Sequence, residues 1–515
     1  MKKILYILSV IFLACSCNWL EITPENAIDE DDLFTTGYGF RNALNGVYLK
    51  IGSRDLYGEN LSWGFLSAAA QEYITDDSQL GSYTMQKTKD AADFIYKSAN
   101  IEPLIQTIWE TQYSVIANIN KILEHIDNLP ENAFAFGDEE RNLIKAEAHA
   151  LRAMLHFDLL RLFAPAPVTN PAGTYIPYRD KFSPELGDKL SVSDFIDKCL
   201  EDIAVAEPLL KNFDTVYHPE AMYAYMAGGS STSMNARYRF NSSMFIDEMG
   251  EFFWFRGWRM NYLAVLALKA RVCIYDVNRY KAEAKSAALE IHDTYYAEKA
   301  WVGFTATENI TATSSSRYFK ATDDVLFGAY YKNLATEYDS ELIGNDNTVK
   351  YPLAGIDNLF LSDVSGNYED LRYDKLILST NALNKAYYTG KYSVSSESYV
   401  EAVENPMIPI FRLSEVFQIL AEVEALDGNF DIALDYLAEV RNARGAYRVP
   451  TVSDYQQFMT EYMLEARKEN LCEGRTFFLY KRLNVENVEN SSKPGFYRNM
   501  REGYVLPIPN SESPF

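Results

Sequence analysis

The chain has 515 residues, a formal net charge of −24 and 37 tyrosines, and 14% of its residues are aromatic. A chain of this length can bury an extensive hydrophobic core. Its acidity disfavours nucleic acid and anionic membrane surfaces as partners, because both carry the same sign of charge.

The N-terminus predicts export. Residues 1–3 are Met-Lys-Lys, and an apolar run from Ile4 to Ala14 follows, which is the pattern of a signal peptide. That run is too short to span a bilayer, and no later stretch reaches the about 18 uncharged apolar residues that a spanning helix needs. A large, acidic, tyrosine-rich and exported chain fits a carbohydrate-handling protein, although tyrosine is also common in the cores of helical arrays.

The cysteines at the end of the signal define the kind of export. Ala14-Cys15-Ser16-Cys17 forms a lipobox, in which a thiol is acylated before cleavage. We assign Cys17 as the acylated residue because Ser16 is a good residue at the cut. The frame that ends at Cys15 is an alternative, and an ordinary secretory cut is another. The predicted organisation is a signal peptide at 1–16, an acylated tether at 17–32 containing Pro24, and a single domain at 33–515.

Helices dominate the predicted domain. Apolar residues recur at steps of three and four from Leu33 to Lys50 and from Ile101 to Ile126. The clearest helix runs from Asp138 to Phe163. Its leucine stripe follows Asp138 as the expected N-cap, and Pro165 ends it.

Two later segments have the pattern of helical hairpins. Leu420-Ala421, Gly428-Asn429-Phe430 and Ala433-Leu434 fit a tetratricopeptide pattern, in which small residues allow two helices to cross closely. The stretch from Lys269 to Ala288 is a looser copy. We therefore predict a mainly α fold of tetratricopeptide-like helical hairpins with long irregular loop insertions.

Three regions lack a clean period: about Ser53 to Ser98, Asn212 to Arg256 and Trp301 to Asn405. They are long for simple connections, and long loops in compact domains are usually functional. We expect the ligand site there.

Sequence motifs for catalysis are missing. There is no HExxH, GxSxG, Walker or GxGxxG motif. His149 and His156 are seven residues apart, which is not a metal-ligand spacing, and the separated Cys199, Cys273 and Cys472 read as buried core residues. A glycosidase needs only two carboxylates, so the sequence leaves that chemistry open. Residues 363–369 resemble an oxygen-rich calcium loop, but the glycine is misplaced for an EF-hand, and we assign no metal and no cofactor.

Several segments together resemble one family, the SusD/RagB outer-membrane glycan-binding lipoproteins, over essentially the whole chain. The resemblance is carried by Cys17 to Pro24, Ala43 to Tyr48, Ala146 to Ala153, Ile410 to Val416, Ala421-Glu422, Val440 to Gly445, Glu465 to Arg475, and Leu506 to Pro509 with Glu512. Cys472 stands where an aromatic residue is expected. Charged residues within these apolar helices should form hydrogen-bonded pairs between packed helices, as scaffold. They are Arg152, Arg412, Glu415, Glu422, Arg441, Arg467, Glu469 and Glu473.

The resemblance implies a tetratricopeptide-based fold, an outer-membrane location at the cell surface, and pairing with a SusC-type TonB-dependent transporter. It also implies glycan binding through aromatic rings without catalysis. Our candidate rings, chosen because sugar stacking needs exposed rings in loops, are Trp63, Tyr83, Trp254, Trp301, Tyr318 and Tyr331. Trp109 and Trp258 are assigned to the core. The alternatives are a surface glycoside hydrolase and a peptide-binding uptake protein.

Overall fold

The computed structural model of the protein describes residues 33–75, 85–185, 187–222, 251–313, 317–342, 349–364, 370–379, 386–393, 406–448, 450–491, 493 and 495–510. Helices dominate these ranges, which confirms the predicted mainly α class. The signal peptide and the tether, with Cys15 and Cys17, lie outside them, and so does the loop at 365–369.

The described helices are α1 (Gly37–Ile51), α2 (Phe65–Ala69), α3 (Met85–Ala92), α4 (Glu102–His125), α5 (Gly137–Phe163), α6 (Val192–Asn212), α7 (Tyr262–Tyr275), α8 (Val277–Leu289), α9 (Thr307–Thr311), α10 (Leu334–Leu342), α11 (Ile356–Val364), α12 (Leu413–Leu426), α13 (Phe430–Ala443), α14 (Tyr455–Asn470) and α15 (Arg475–Arg482). The strands are β1 (Thr174–Pro177), β2 (Lys189–Ser191), β3 (Val325–Tyr330), β4 (Ile377–Ser379), β5 (Tyr387–Thr389), β6 (Met407–Arg412), β7 (Asn487–Glu489) and β8 (Tyr497–Asn499). The strands pair as antiparallel ribbons, β1 with β2, β3 with β6, β4 with β5 and β7 with β8.

Apolar periodicity locates three of the long helices, but α6 and α14 were not predicted. The three stripes predicted in the first third of the chain are α1, α4 and α5, displaced by at most a few residues at their ends. The predicted cap of α5 is wrong. The helix begins at Gly137, so Asp138 lies in its first turn and pairs with Arg141, where its charge still favours the positive end of the helix dipole.

The helices form one continuous array in which α4 packs on α5, α5 on α6, α6 on α7, α7 on α8, α8 on α12 and α12 on α13. Gly428 turns the chain between α12 and α13 at a φ of +83°, a conformation that costs glycine little. Ala421 and Ala433 are fully buried where these two helices cross. Both predicted hairpins, α7 with α8 and α12 with α13, are therefore present.

The described residues between 301 and 406, which we call the excursion, lie between α8 and α12 in the chain. The β3–β6 ribbon joins the excursion to the array, since Val325 pairs with Arg412 and β6 runs directly into α12. One hydrophobic cluster extends from Phe34 to Leu506, so the excursion and both ends of the array share a core. Across the described ranges, no helix has the length and apolar character needed to cross a bilayer.

Candidate functional site

Two of the predicted sugar platforms are core residues. Trp63 is 3% exposed, and its Nε1 donates to the carbonyl of Gly58 at 2.8 Å. Its ring packs edge-to-face on Tyr338, with 5.1 Å between the ring centroids. Trp301 is 9% exposed and packs on Tyr295, with ring centroids 5.1 Å apart. The prediction that these two rings are exposed is wrong: Tyr338, far away in sequence, packs on Trp63, and the neighbouring Tyr295 packs on Trp301.

The remaining candidates have different environments. Trp254, Tyr318 and Tyr331 are half-buried, so each keeps part of its ring at the surface. Tyr83 lies outside the described residues. Trp109 and Trp258 are buried, as predicted.

Tyr331 belongs to a cluster that we call the charged belt: Arg54, Glu59, Lys87, Tyr331, Glu337 and Glu341. The Tyr331 hydroxyl donates to Glu337 at 2.7 Å, and burial together with this carboxylate raises the pKa of Tyr331 to about 12. Arg54 donates to Glu59 at 2.7 Å and lies 3.4 Å from Glu337. Phenol, guanidinium and carboxylate therefore meet at one partly exposed place.

Glu59 binds both cations of the charged belt. Lys87 donates to Glu59 Oε1 at 2.9 Å, while Arg54 donates to Oε2. Burial opposes the charged form of Glu59, but Lys87 and Arg54 outweigh it and lower the pKa of this carboxyl group. Lys87 and Arg54 each keep 41% of their side chains exposed, and Glu337 and Glu341 keep 27% and 32%, so the belt presents charges of both signs to solvent.

A second cluster, the tyrosine cluster, consists of Asp357, Tyr373 and Tyr387. Both phenol hydroxyls donate to Asp357 Oδ1, at 2.8 Å from Tyr373 and 3.0 Å from Tyr387. The ring centroids are 6.1 Å apart. The hydrogen bond with Tyr387, burial and Asp357 together raise the pKa of Tyr373, so the ring stays a neutral phenol. Both rings are half-buried, which holds them in place and leaves part of each ring accessible.

The buried Trp63 and the half-buried Tyr351 connect the two clusters. Trp63 contacts Tyr351 at 6.4 Å between centroids, and both line a small cavity together with Glu59 and Lys87. Two residues after Tyr351, the Leu353 amide donates to the carbonyl of Tyr387 at 2.8 Å. We call the charged belt and the tyrosine cluster together the loop face. Its members come from the first and third irregular regions of the sequence, but only Tyr331 was among the predicted rings.

His149 and His156 have hydrogen-bonded partners within the fold, and the three described cysteines are buried. The His156 Nε2 accepts from the Arg179 amide at 2.9 Å, and burial lowers the pKa of His156 to about 3. His149 bonds to Asp202 at 2.7 Å. Cys199, Cys273 and Cys472 are buried and unpaired with one another, which confirms their assignment to the core. Within the described ranges, no three His, Cys, Asp or Glu side chains converge as metal ligands.

The predicted charged scaffold is present. Arg152 pairs with Asp202 at 2.6 Å, Arg412 with Glu473 at 2.6 Å, and Glu422 with Arg482 at 2.5 Å. The other predicted members pair in the same way: Glu415 with Arg271, Arg441 with Glu465, and Glu469 with Arg444 and Arg372. Arg467 is only half-buried, beside Tyr480. The residues that carry the family likeness are therefore mostly internal.

Two family models match this chain. The model described as starch-binding associating with outer membrane matches residues 19–227, and the SusD family model matches residues 346–513. A curated relative, SusD-like protein P2 of Formosa agariphila, is 25% identical over 167 residues. That match spans 32% of this chain and 30% of the length of the relative.

Solved structures share the fold over nearly the full length. A SusD superfamily protein from Bacteroides thetaiotaomicron has 20% identity and a TM-score of 0.68, over 93% of this chain and 97% of that chain. A SusD-like carbohydrate binding protein from Bacteroides vulgatus has 19% identity and a TM-score of 0.61, over 88% of this chain and 84% of that chain. With the two family models matching its N-terminal and C-terminal parts, the chain belongs to the SusD/RagB family.

Proposed function

We propose that this protein is a cell-surface lipoprotein of the outer membrane that captures oligosaccharide and delivers it, without cleaving it, to a SusC-type TonB-dependent transporter. The loop face carries the proposal, because it places half-exposed phenol rings beside fixed carboxylates and cations. The family description, starch-binding associating with outer membrane, supports it. The name of the Bacteroides vulgatus neighbour, a carbohydrate binding protein, also supports it.

The tyrosine cluster can contact both the apolar C–H face of a sugar ring and its hydroxyl groups. The apolar C–H face of a sugar can stack on Tyr373 or Tyr387, which removes that face from water. Asp357 Oδ1 already accepts from both phenols, while Asp357 Oδ2 has no hydrogen-bond donor among the described residues. That oxygen can accept a sugar hydroxyl at the edge of the stacked ring.

The charges of the loop face favour an uncharged glycan. Its carboxylates are Glu59, Glu337, Glu341 and Asp357, and its cations are Arg54 and Lys87. A sulfated or uronate-rich polymer would meet this surplus of carboxylates on a chain whose net charge is already −24. Like charges at short range disfavour association, so we propose neutral oligosaccharides as the ligand class.

The lipobox at Ala14-Cys15-Ser16-Cys17 supplies the proposed membrane attachment, through acylated Cys17. Residues 17–32 are the proposed tether between this lipid anchor and the folded part, in the same membrane as the transporter. The proposed ligand face lies on the excursion together with Arg54, Glu59 and Lys87, and not on the helical hairpins, so the hairpins stay available for a protein partner.

Native affinity electrophoresis tests the proposal. Purified protein from Asn18 onwards is run through gels containing neutral polysaccharides, sulfated polysaccharides or uronate polymers, and the polymers are then assayed for new reducing ends. We expect retardation by at least one neutral polymer and no new reducing ends. Release of reducing ends would support the hydrolase alternative. Retention by no glycan, together with calorimetric binding of peptides, would support the peptide alternative.

A further inference from the structure

A polar cavity of about 50 Å³ lies inside the helical array, apart from the loop face. Five helices enclose it: α5, α7, α12, α14 and α15. Helix α5 lies in the segment matched by the first family model, and α12, α14 and α15 lie in the segment matched by the second. The cavity is therefore at the seam between the two matched parts of the chain.

Four polar atoms at this cavity have no hydrogen-bond partner among the described residues. They are Arg161 Nε, Tyr275 Oη, Gln418 Nε2 and Asn470 Oδ1. Each of the four side chains is more than nine-tenths buried. A buried polar atom without a partner is costly, and four such atoms around one cavity indicate a polar occupant.

The cavity is also lined by four guanidinium groups, those of Arg161, Arg271, Arg475 and Arg482. Arg161 pairs with Asp158, and Arg482 pairs with Glu422. Glu415, in contrast, is shared. It lies 2.5 Å from Arg271 and 3.5 Å from Arg475.

Among the described residues, Arg475 has one other carboxylate within 4 Å, that of Glu473, also at 3.5 Å. Glu473 is held more closely by two other cations, Arg412 at 2.6 Å and Lys391 at 2.8 Å. Among the described residues that line the cavity, four therefore carry a guanidinium group and only Glu415 carries a carboxylate, while Asp158 and Glu422 pair with two of the four from outside the lining. A buried surplus of positive charge is unfavourable unless a counter-charge accompanies it.

We propose that this cavity binds one small monovalent anion, of the size of chloride or nitrate, together with water. Arg161 Nε and Gln418 Nε2 donate to the anion, the Tyr275 hydroxyl donates as a third group, and a water molecule connects the anion to Asn470 Oδ1. A cavity of about 50 Å³ holds only a few groups of the size of water, so larger anions are excluded. The anion ties α5 to α12 and α14, and so stabilises the junction between the two matched parts of the chain.

Two measurements test this proposal on the purified protein. The first is the anomalous scattering of crystals soaked in sodium bromide, where we expect a peak between Arg161 Nε, Tyr275 Oη and Gln418 Nε2. The second is the melting temperature in sodium chloride, bromide or nitrate, compared with sodium gluconate at equal ionic strength. Because a ligand of the native state stabilises it by mass action, the melting temperature should rise with the small anions and then saturate.

Variants separate the cavity from general salt effects. Tyr275→Phe removes one donor and keeps the ring contact with Phe157, and Gln418→Met removes another at similar volume. Their combination should raise the half-saturating anion concentration at least tenfold, whereas Arg279→Gln, which breaks an exposed pair with Asp197, should leave it unchanged. Absence of a bromide peak in the cavity would overturn the proposal, even if the double variant does not fold. Equal melting temperatures in all four salts would overturn it as well.

Discussion

The charge of Glu473 should be one of the larger single contributions to stability. This carboxylate is buried and accepts from Arg412 at 2.6 Å and from Lys391 at 2.8 Å. In Glu473→Gln the side chain keeps its size, but both cations lose their counter-charge. Breaking a buried ion pair in this way costs about 3–5 kcal/mol.

The pKa of Glu473 gives a second value for the same quantity. Burial opposes its charged form, but Arg412 and Lys391 outweigh burial and lower the pKa from 4.5 to about 2. A difference of that size corresponds to about 3 kcal/mol. Because the folded pKa is the lower one, this stability is fully present above pH 4.5 and is lost as the pH falls toward 2.

Urea unfolding of the wild type and Glu473→Gln measures this contribution. At pH 7 the free energies of unfolding should differ by about 3–5 kcal/mol, and by less than half of that near pH 3. Asp55→Asn, which breaks an exposed pair with Lys50, is the control and should cost under about 1 kcal/mol. A difference below about 1 kcal/mol at pH 7, or one that does not change with pH, would refute the assignment of Glu473 as a charged scaffold residue.

Three further outcomes follow from the sequence and the structure. Trp63→Ala should lower the free energy of unfolding by about 3–5 kcal/mol, because it empties a core site between Tyr338 and Tyr351. A variant with wild-type stability and no glycan binding would instead make Trp63 a ligand residue. Gly474→Ala should lower the free energy of unfolding by more than about 1–2 kcal/mol, because φ is +69° and a Cβ there would lie 2.1 Å from the Leu61 carbonyl oxygen. An unchanged melting temperature in thermal unfolding would contradict this. Labelled palmitate should be incorporated by the wild type and not by Cys17→Ala; label lost in Cys15→Ala but kept in Cys17→Ala would identify the other frame.

The helical array could be predicted because its signals are local. The stripes of α4 and α5 repeat every three or four residues, and Gly428 with Phe430 marks the hairpin turn between α12 and α13. The buried ion pairs could also be predicted, since an arginine or glutamate in an apolar helix needs a partner. The sequence did not predict which residues pair with each other. Glu473 is 61 residues from Arg412 in sequence, and only the tertiary fold brings the two side chains together.

The aromatic rings show the limit of local reasoning. Trp63 is in a segment without helical periodicity, which suggested an exposed loop, but it is covered by Tyr338 and Tyr351 from nearly 300 residues later. Tyr373 and Tyr387 were missed for the opposite reason. Their pairing depends on Asp357 and on the β4–β5 ribbon, and the only local signal was the density of tyrosine between 301 and 405.

Glycan affinity at the tyrosine cluster tests the central claim most directly. Isothermal titration calorimetry with an oligosaccharide of the retained polymer should show binding to the wild type and weaker binding to Tyr387→Ala and Tyr373→Ala. The loss expected for one stacked ring is about 1–3 kcal/mol, or about 5- to 150-fold in Kd. Tyr38→Ala, which removes a tyrosine that is 72% exposed on α1, should bind like the wild type. Unchanged affinity in both cluster variants, with both folded, would contradict the account and place the ligand away from the tyrosine cluster.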